Sequence, residues 1–90
     1  MKRDGGKARF DLIPPVSERQ LAEVLTFGAE KYGPDNWRSV RSEKYLAAAG
    51  RHLNAYRRGE TYDQETGLPH LMHAVCCLMF VNEQEESNDD

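Results

Sequence analysis

Apolar residues recur at three- and four-residue spacings in three stretches of the chain, which is the period of an amphipathic helix. These stretches cover residues 16–32, 42–58 and 69–85. No stretch alternates apolar and polar residues over the length of a β-strand. The pattern therefore predicts an all-α fold, a three-helix antiparallel unit that follows an extended N-terminal segment. Within that segment the run RFDLI, residues 9–13, is expected to be extended.

Residues typical of helix ends support these boundaries. Ser17 with Gln20 matches a capping box for the first helix, and Ser42 is a candidate N-cap for the second. Gly59 lies where a glycine commonly ends a helix, and Pro69 suits the first turn of the third helix. The short loop between the last two helices then turns the chain back, so we expect them to be antiparallel.

The third helix is apolar around almost its whole circumference. Its apolar positions are Leu68, Leu71, Met72, Val75, Leu78, Met79 and Phe80. A helix of this kind is covered on more than one side. Because a chain of 90 residues buries only part of its surface, we expect a second copy to complete the fold as a homo-oligomer. Gly50 costs about 1 kcal/mol relative to alanine in mid-helix, so a close helix contact is expected there.

Composition and charge narrow the class of protein. With 39% hydrophobic and 30% charged residues, the chain is interpreted as a single helical domain, residues 1–90, with flexible ends at 1–6 and 86–90. The net charge of −3 argues against long nucleic acid as a partner, because such proteins are usually basic. No apolar run approaches the ~18 residues that span a bilayer, so no membrane partner is expected.

The N-terminus and the cysteines both favour the cytoplasm. MKRDGGKARF lacks the apolar region of a signal peptide. Cys76 and Cys77 are adjacent and are the only cysteines, so a disulfide framework is not expected and a reducing compartment is. We interpret the two thiols as core residues, and a reactive or metal-binding role is the alternative.

Three histidines are expected to converge. His70 and His73 are three residues apart and lie on one side of the third helix, and His52 lies near the end of the antiparallel second helix. Together with Asp63 and Glu65 of the intervening loop they would suit a divalent metal, with Mn²⁺, Zn²⁺ or Fe²⁺ favoured over Mg²⁺. Beside arginines the same imidazoles would suit a phosphate. The alternative is that His70 caps the helix and His73 is a hydrogen-bonded core histidine.

Basic and aromatic residues in the first two-thirds of the chain are candidates for binding a nucleotide. Guanidinium groups match phosphate oxygens, and a base stacks on an aromatic ring for ~1–3 kcal/mol. The candidate set is Lys7, Arg9, Lys31, Tyr32, Trp37 and Arg51. The alternatives are ordinary surface charge and, for the single tryptophan, a plug at the corner between the first two helices. Glycine-rich phosphate loops and nucleophile elbows are absent from the sequence.

Three runs of the chain, read together, resemble a small phage-associated family. They are GKARFDLIPP, EVLTFGAEKYGPDNWR and RHLNAYRRGETYDQETGLPHLMHA. The family is described as the N-terminal domain of dATP/dGTP diphosphohydrolase. The resemblance implies a phage protein that handles purine deoxynucleotides and removes pyrophosphate from dATP or dGTP to leave the monophosphate.

The resemblance also suggests kinship with all-α, MazG-like nucleotide pyrophosphohydrolases. Those enzymes are helical, oligomeric and Mg²⁺-dependent, with an E-x-x-E pair followed by an E-x-x-D pair on antiparallel helices. This chain departs from that pattern. Glu60-x-x-Asp63 lies in a predicted loop, and Glu83-x-x-Glu86 follows it near the tail. The sequence therefore supports nucleotide binding more firmly than hydrolysis.

The predicted function is metal-dependent hydrolysis of dATP or dGTP, with a small-molecule nucleotide as partner and Mg²⁺ or Mn²⁺ as the cation. The predicted catalytic residues are Glu30 and His73. Glu30 shares a helix face with Glu23, and the alternative is that this face is only exposed to solvent. The predicted metal ligands are His52, Asp63, Glu65 and His70. The alternatives are a protein that sequesters a cyclic or modified nucleotide of host defence without hydrolysis, and a purely structural module.

Overall fold

Three α-helices dominate the computed structural model, which describes residues 4–87. They are α1 (Pro15–Tyr32), α2 (Ser42–Arg57) and α3 (His70–Ser87). Short 3₁₀ turns occupy Asp4–Gly6, Phe10–Leu12 and Asn36–Ser39. Within residues 4–87 the only strand-like pairing is an isolated bridge between Tyr62 and Pro69. The predicted all-α class is confirmed, and each helix boundary lies within two residues of its predicted position.

The N-terminal segment differs locally from expectation. Residues 10–12 form a 3₁₀ turn, closed by hydrogen bonds from Leu12 N–H to the Arg9 carbonyl and from Ile13 N–H to the Phe10 carbonyl, each 3.1 Å long. The expectation that RFDLI is extended is therefore wrong at these positions. The predicted flexible ends lie partly outside the described residues.

The two predicted N-caps are wrong for different reasons. α1 begins at Pro15 with Pro14 as its N-cap, because the fixed φ of proline suits the first helical turn. The serine and glutamine of the proposed capping box therefore lie inside the helix. α2 has Arg41 at its N-cap and Ser42 as its first residue. The Ser42 hydroxyl instead donates a 2.6 Å hydrogen bond to Oε1 of Gln84 on α3.

Gly59 ends α2 as predicted. Its φ is +99°, a conformation that a residue with a Cβ adopts only with strain. The Gly59 N–H donates to the Tyr56 carbonyl and the Glu60 N–H to the Ala55 carbonyl, the two hydrogen bonds of a Schellman motif. This turn directs residues 60–69 back toward the start of α3.

α3 is the central helix, because it packs against α2, α1 and the Asn36–Ser39 turn. Contacts between Ser42 and Gln84 at one end, and between His52 and His70 at the other, show that α2 and α3 are antiparallel. The buried apolar residues are few and mostly small: Val24, Ala49, Ala55, Ala74 and Cys76. So small a core leaves room between the helices, and the candidate site occupies that room.

One side of the α2–α3 pair is left uncovered by residues 4–87. The large apolar side chains exposed there, each by 41–51%, are Leu46, Leu53, Leu71, Val75 and Leu78. The expected close contact at Gly50 is not made by the described residues, since a Cβ built there would meet nothing within 4 Å. Cover by a second copy stays a prediction. None of the described helices combines the length and the hydrophobicity needed to cross a membrane.

Candidate functional site

A cavity of about 450 Å³ lies between α1, the Asn36–Ser39 turn, α2 and α3. Its size is typical of a small-molecule site. Side chains of unlike character line its two ends. The aromatic end is formed by Trp37, Tyr45 and Phe80, with Val24 beside them. The polar end is lined by Lys31, Arg51, His52, Asp63, Glu65, Thr66 and His73.

The aromatic end is held by stacking and by one amide side chain. The rings of Trp37 and Phe80 are nearly parallel, with centroids 4.6 Å apart, and Tyr45 packs against Phe80 at 5.1 Å. The Gln84 amide donates hydrogen bonds to the carbonyls of Trp37 (2.9 Å) and Val40 (3.0 Å), which ties the turn to α3.

Both faces of the Trp37 ring are occupied. Phe80 covers one face, and the Arg38 guanidinium lies over the ring 4.4 Å from its centroid. A base could stack on Trp37 only by displacing one of them. The geometry therefore favours a Trp37 that fills the corner between the first two helices over one that stacks on a base. Tyr32, by contrast, is 62% exposed at the cavity and carries only the Lys31 ammonium, 5.2 Å from its ring centroid.

The three histidines come together at the polar end, as the sequence predicts. His52 and His73 stack with ring centroids 4.6 Å apart and an interplanar angle of 10°. The rings of His52 and His70 are tilted at 5.1 Å, and their Nδ1 atoms are 2.8 Å apart, a hydrogen-bond distance. His70 is 5% exposed and lies behind His52, outside the cavity wall.

The α2–α3 loop supplies the rest of the polar end, and its own hydrogen bonds fix it. The Asp63 carboxylate accepts hydrogen bonds from the backbone N–H groups of Glu65 and Thr66, both 2.9 Å. The Thr66 hydroxyl lies 2.7 Å from Nε2 of His73. The backbone N–H of His70 donates a 3.0 Å hydrogen bond to the Thr61 carbonyl. The loop is therefore a rigid wall of the cavity.

Burial and hydrogen bonding set the charges at this end. Burial lowers the pKa of His52, and the nearby His73 and His70 lower it further. Burial also lowers the pKa of His73, so both rings are mainly neutral near pH 7. Burial alone would raise the pKa of Asp63, but its backbone hydrogen bonds and His73 outweigh that effect and lower it. The end therefore combines neutral imidazoles with an ionised carboxylate.

Arg51 is the cation at this end that no carboxylate neutralises. It lines the cavity beside His52 and forms no salt bridge with any residue between 4 and 87. Lys31 also lines the cavity, but its ammonium contacts the Glu65 carboxylate at 2.5 Å, and this contact raises the Lys31 pKa. Arg51 is therefore the more available of these two cations for an anionic ligand.

Three predicted site residues lie elsewhere. Glu30 lines a shallow groove beside the cavity, with Glu23 and Thr26, and does not line the cavity itself. Lys7 and Arg9 belong to the exposed N-terminal segment, and Arg9 pairs with Asp11 at 2.8 Å. Ion pairing between neighbouring side chains and the rotation of a helix about its axis decide these positions. The spacing of residues in the sequence reveals neither.

The predicted metal ligands are only partly brought together. Ligand atoms of His52, Asp63 and His70 all lie within 4.8 Å of one another, whereas Glu65 is paired with Lys31. Glu60, which the sequence reasoning left out of the site, contacts His70 with Oε1 2.6 Å from Nε2. Its sequence signals are the Glu60-x-x-Asp63 spacing and its place directly after the helix-ending Gly59.

Comparison with known proteins gives this cavity a context. The model of a family described as "dATP/dGTP diphosphohydrolase, N-terminal" matches residues 1–90. The chain belongs to this family. A dATP/dGTP diphosphohydrolase of Salmonella phage PMBT28 is 41% identical over 81 residues, which is 90% of this chain and 28% of that relative. The chain thus spans less than a third of the relative's length. No solved structure matches it.

Proposed function

We propose that this chain binds a purine deoxynucleotide in the cavity and serves a dATP/dGTP diphosphohydrolase activity. One observation carries the proposal: a single cavity has an unpaired guanidinium and imidazoles at one end and aromatic and aliphatic side chains at the other. A nucleotide has the same polarity, with phosphates at one end and a largely apolar base at the other. The purine preference is taken from the name of the phage relative.

The cavity residues divide between the two parts of such a ligand. Two parallel N–H groups of the Arg51 guanidinium would donate hydrogen bonds to phosphate oxygens. Tyr32, whose ring is the more exposed, would stack on the base. Lys31 lies between the two and would exchange its Glu65 partner for a phosphate. Glu30, Lys7 and Arg9 have no role in this proposal, because they lie away from the cavity.

Hydrolysis to the monophosphate breaks the bond between the α-phosphorus and the bridging oxygen to the β-phosphate. A water attacks the α-phosphorus, its proton passes to a base, and pyrophosphate leaves. His73 is suited to accept that proton, because burial lowers its pKa and leaves it neutral near pH 7. The ligands His52, Asp63 and His70 fit a divalent cation, which would supply positive charge against the phosphate oxygens.

The test is direct. Purified protein is incubated with dATP or dGTP and Mn²⁺ or Mg²⁺, and monophosphate and pyrophosphate are measured together. Equal amounts of the two products, lost in His73→Gln while nucleotide binding persists, are the expected result. Nucleotide binding without any turnover in every metal would remove the hydrolytic half of the proposal.

A second candidate is binding without turnover, in which the protein sequesters a cyclic or modified nucleotide of host defence in the cytoplasm of a phage-infected cell. The carboxylates favour it: Glu65 is paired with Lys31, Asp63 is engaged by backbone N–H groups, and Glu30 lies outside the cavity. The match covers only 28% of the phage relative, so most of that protein lies outside the matched region. This partial match is compatible with a chain that binds a nucleotide without hydrolysing it.

Mass spectrometry of small molecules released from heat-denatured protein separates the two candidates. An intact nucleotide released in a one-to-one ratio, together with the absence of monophosphate production, supports sequestration. Rapid appearance of monophosphate supports the diphosphohydrolase.

A further inference from the structure

Glu60 fixes the orientation of the most buried histidine. Its carboxylate lies 2.6 Å from Nε2 of His70, and the opposite ring nitrogen, Nδ1, lies 2.8 Å from Nδ1 of His52. An ionised carboxylate only accepts hydrogen bonds, so Nε2 of His70 carries the hydrogen. In the neutral ring, Nδ1 of His70 then presents its lone pair, and Nδ1 of His52 is the donor.

Two imidazole nitrogens therefore point at one another beside Asp63, held together by a single proton. We propose that this position is a binding site for a borderline transition cation such as Zn²⁺, Co²⁺ or Mn²⁺. Its ligands are Nδ1 of His52, Nδ1 of His70 and the Asp63 carboxylate, and Glu60 is the outer carboxylate that positions His70. The inference deepens the proposed function by assigning the class of its cation.

The geometry meets the needs of such a cation with a small adjustment. Nitrogen ligands of a tetrahedral zinc ion are about 3.3 Å apart, so the two Nδ1 atoms must separate by roughly half an ångström. The proton on Nδ1 of His52 moves to Nε2 of the same ring, which leaves both Nδ1 lone pairs for the cation. A carboxylate behind a metal-bound histidine is a recurrent feature of metal sites, because it fixes the tautomer and raises ligand basicity.

The ligand set also selects against Mg²⁺, which prefers oxygen ligands and retains its waters. Three protein ligands leave at least one coordination position free. His52 and Asp63 line the cavity, so the cation would lie at its polar end.

The experiment titrates Co²⁺ into untagged, metal-free protein and follows the visible absorption bands of the bound ion, with Zn²⁺ and Mg²⁺ as competitors. We expect one Co²⁺ per chain, displaced by stoichiometric Zn²⁺ and retained in millimolar Mg²⁺. Glu60→Gln should weaken binding by about 10- to 100-fold, the usual effect of losing an outer-shell partner. Glu83→Gln makes the same chemical change at an exposed position near the other end of α3, and should leave the affinity unchanged.

Three results would overturn the inference: no Co²⁺ bands at millimolar metal, full displacement by Mg²⁺, or equal affinities for Glu60→Gln and the unmodified protein. Thermal melts of both variants confirm that they are folded. Nucleotide binding is measured separately in the presence of EDTA. If it persists while Co²⁺ fails to bind, only the cation assignment is lost; if Co²⁺ binds and no nucleotide does, only the proposed function is lost.

Discussion

The two ends of the cavity are built by different interactions. At the aromatic end, ring stacking and the Gln84 amide join the Asn36–Ser39 turn to α3, and that amide accepts a hydrogen bond from Ser42 and donates to two backbone carbonyls. At the polar end, Arg51 has no carboxylate partner among residues 5–87, and the imidazoles bond to one another and to the loop. The aromatic end is filled by its own packing, whereas the guanidinium at the polar end is available to bind a ligand.

Because of this difference, substitutions at one end should affect mainly stability, and substitutions at the other mainly ligand affinity. Changes at the aromatic end should lower the stability of the fold, because they remove packing or leave carbonyls unpaired. Changes at the polar end, above all at Arg51, should lower ligand affinity more than stability, because the Arg51 guanidinium forms no salt bridge among residues 5–87.

Phe80→Ala should have the largest effect. The ring stacks on Trp37 and packs against Tyr45, so its removal opens a hole at the junction of α3 with the turn. We expect a loss of about 3 kcal/mol in the free energy of unfolding, measured by urea denaturation. Phe80→Leu, which keeps most of the volume, should lose less than half of that. Equal losses in the two variants would show that the aromatic stack, and not the volume of the side chain, holds this end.

Gln84→Glu should destabilise by about 2 kcal/mol, since the variant replaces an amide donor with a carboxylate that faces two carbonyl oxygens. The melting temperature should fall by roughly 8–16 °C for a domain of this size. The exposed neighbour Glu83 provides the control, because Glu83→Gln should change the melting temperature by no more than a few degrees. A small effect of Gln84→Glu would mean that the turn is held by stacking alone.

Arg51→Ala should weaken dATP binding at least tenfold, about 1.4 kcal/mol, because it removes the unpaired guanidinium from the phosphate end. The melting temperature should stay almost unchanged. His73→Ala should also weaken binding more than it lowers the melting temperature, although it removes the stack on His52 and the contact with Thr66. Arg57→Ala, an exposed arginine on the same helix, is the matched control. Calorimetric titration measures affinity, and parallel losses of affinity and stability would assign these residues a structural role.

Gly50, within α2, and Gly59, in the turn that follows it, give opposite predictions of about 1 kcal/mol each. Gly59→Ala should destabilise, because φ is +99° at the turn that begins the polar-end loop. Gly50→Ala should stabilise, because the position is mid-helix and the chain leaves open space around it. Chemical denaturation of both variants measures the pair. A destabilising Gly50→Ala would reveal a close contact that this chain alone does not make.

Leu78→Glu should have the smallest effect on the fold of the single chain, since the side chain is 46% exposed on the uncovered side of α3. We expect its melting temperature at low protein concentration to be nearly unchanged. If a second copy covers this side, sedimentation should show a multimer for the unmodified protein and a single chain for the variant. A single chain in both cases would leave the apolar side without a partner of its own kind.

Sequence pattern alone determined the helices and the meeting of the histidines. A 3.6-residue period and helix-ending residues such as Gly59 are local signals, so they survive without knowledge of distant contacts. Once α2 and α3 are antiparallel with a short loop, His52 must lie level with His70 and His73. The convergence therefore follows from register, and the stacked rings confirm it.

Tertiary structure decided which side chains take part. Glu30 lines a neighbouring groove and not the cavity, and Arg9 is paired with a residue only two positions away. One face of Trp37 is covered by Phe80 of α3 and the other by the adjacent Arg38. Glu60 joined the site because a Schellman turn aims it at His70. Periodicity describes which way a helix faces, whereas loop direction and side-chain pairing depend on the three-dimensional arrangement of side chains, which the spacing of residues does not report.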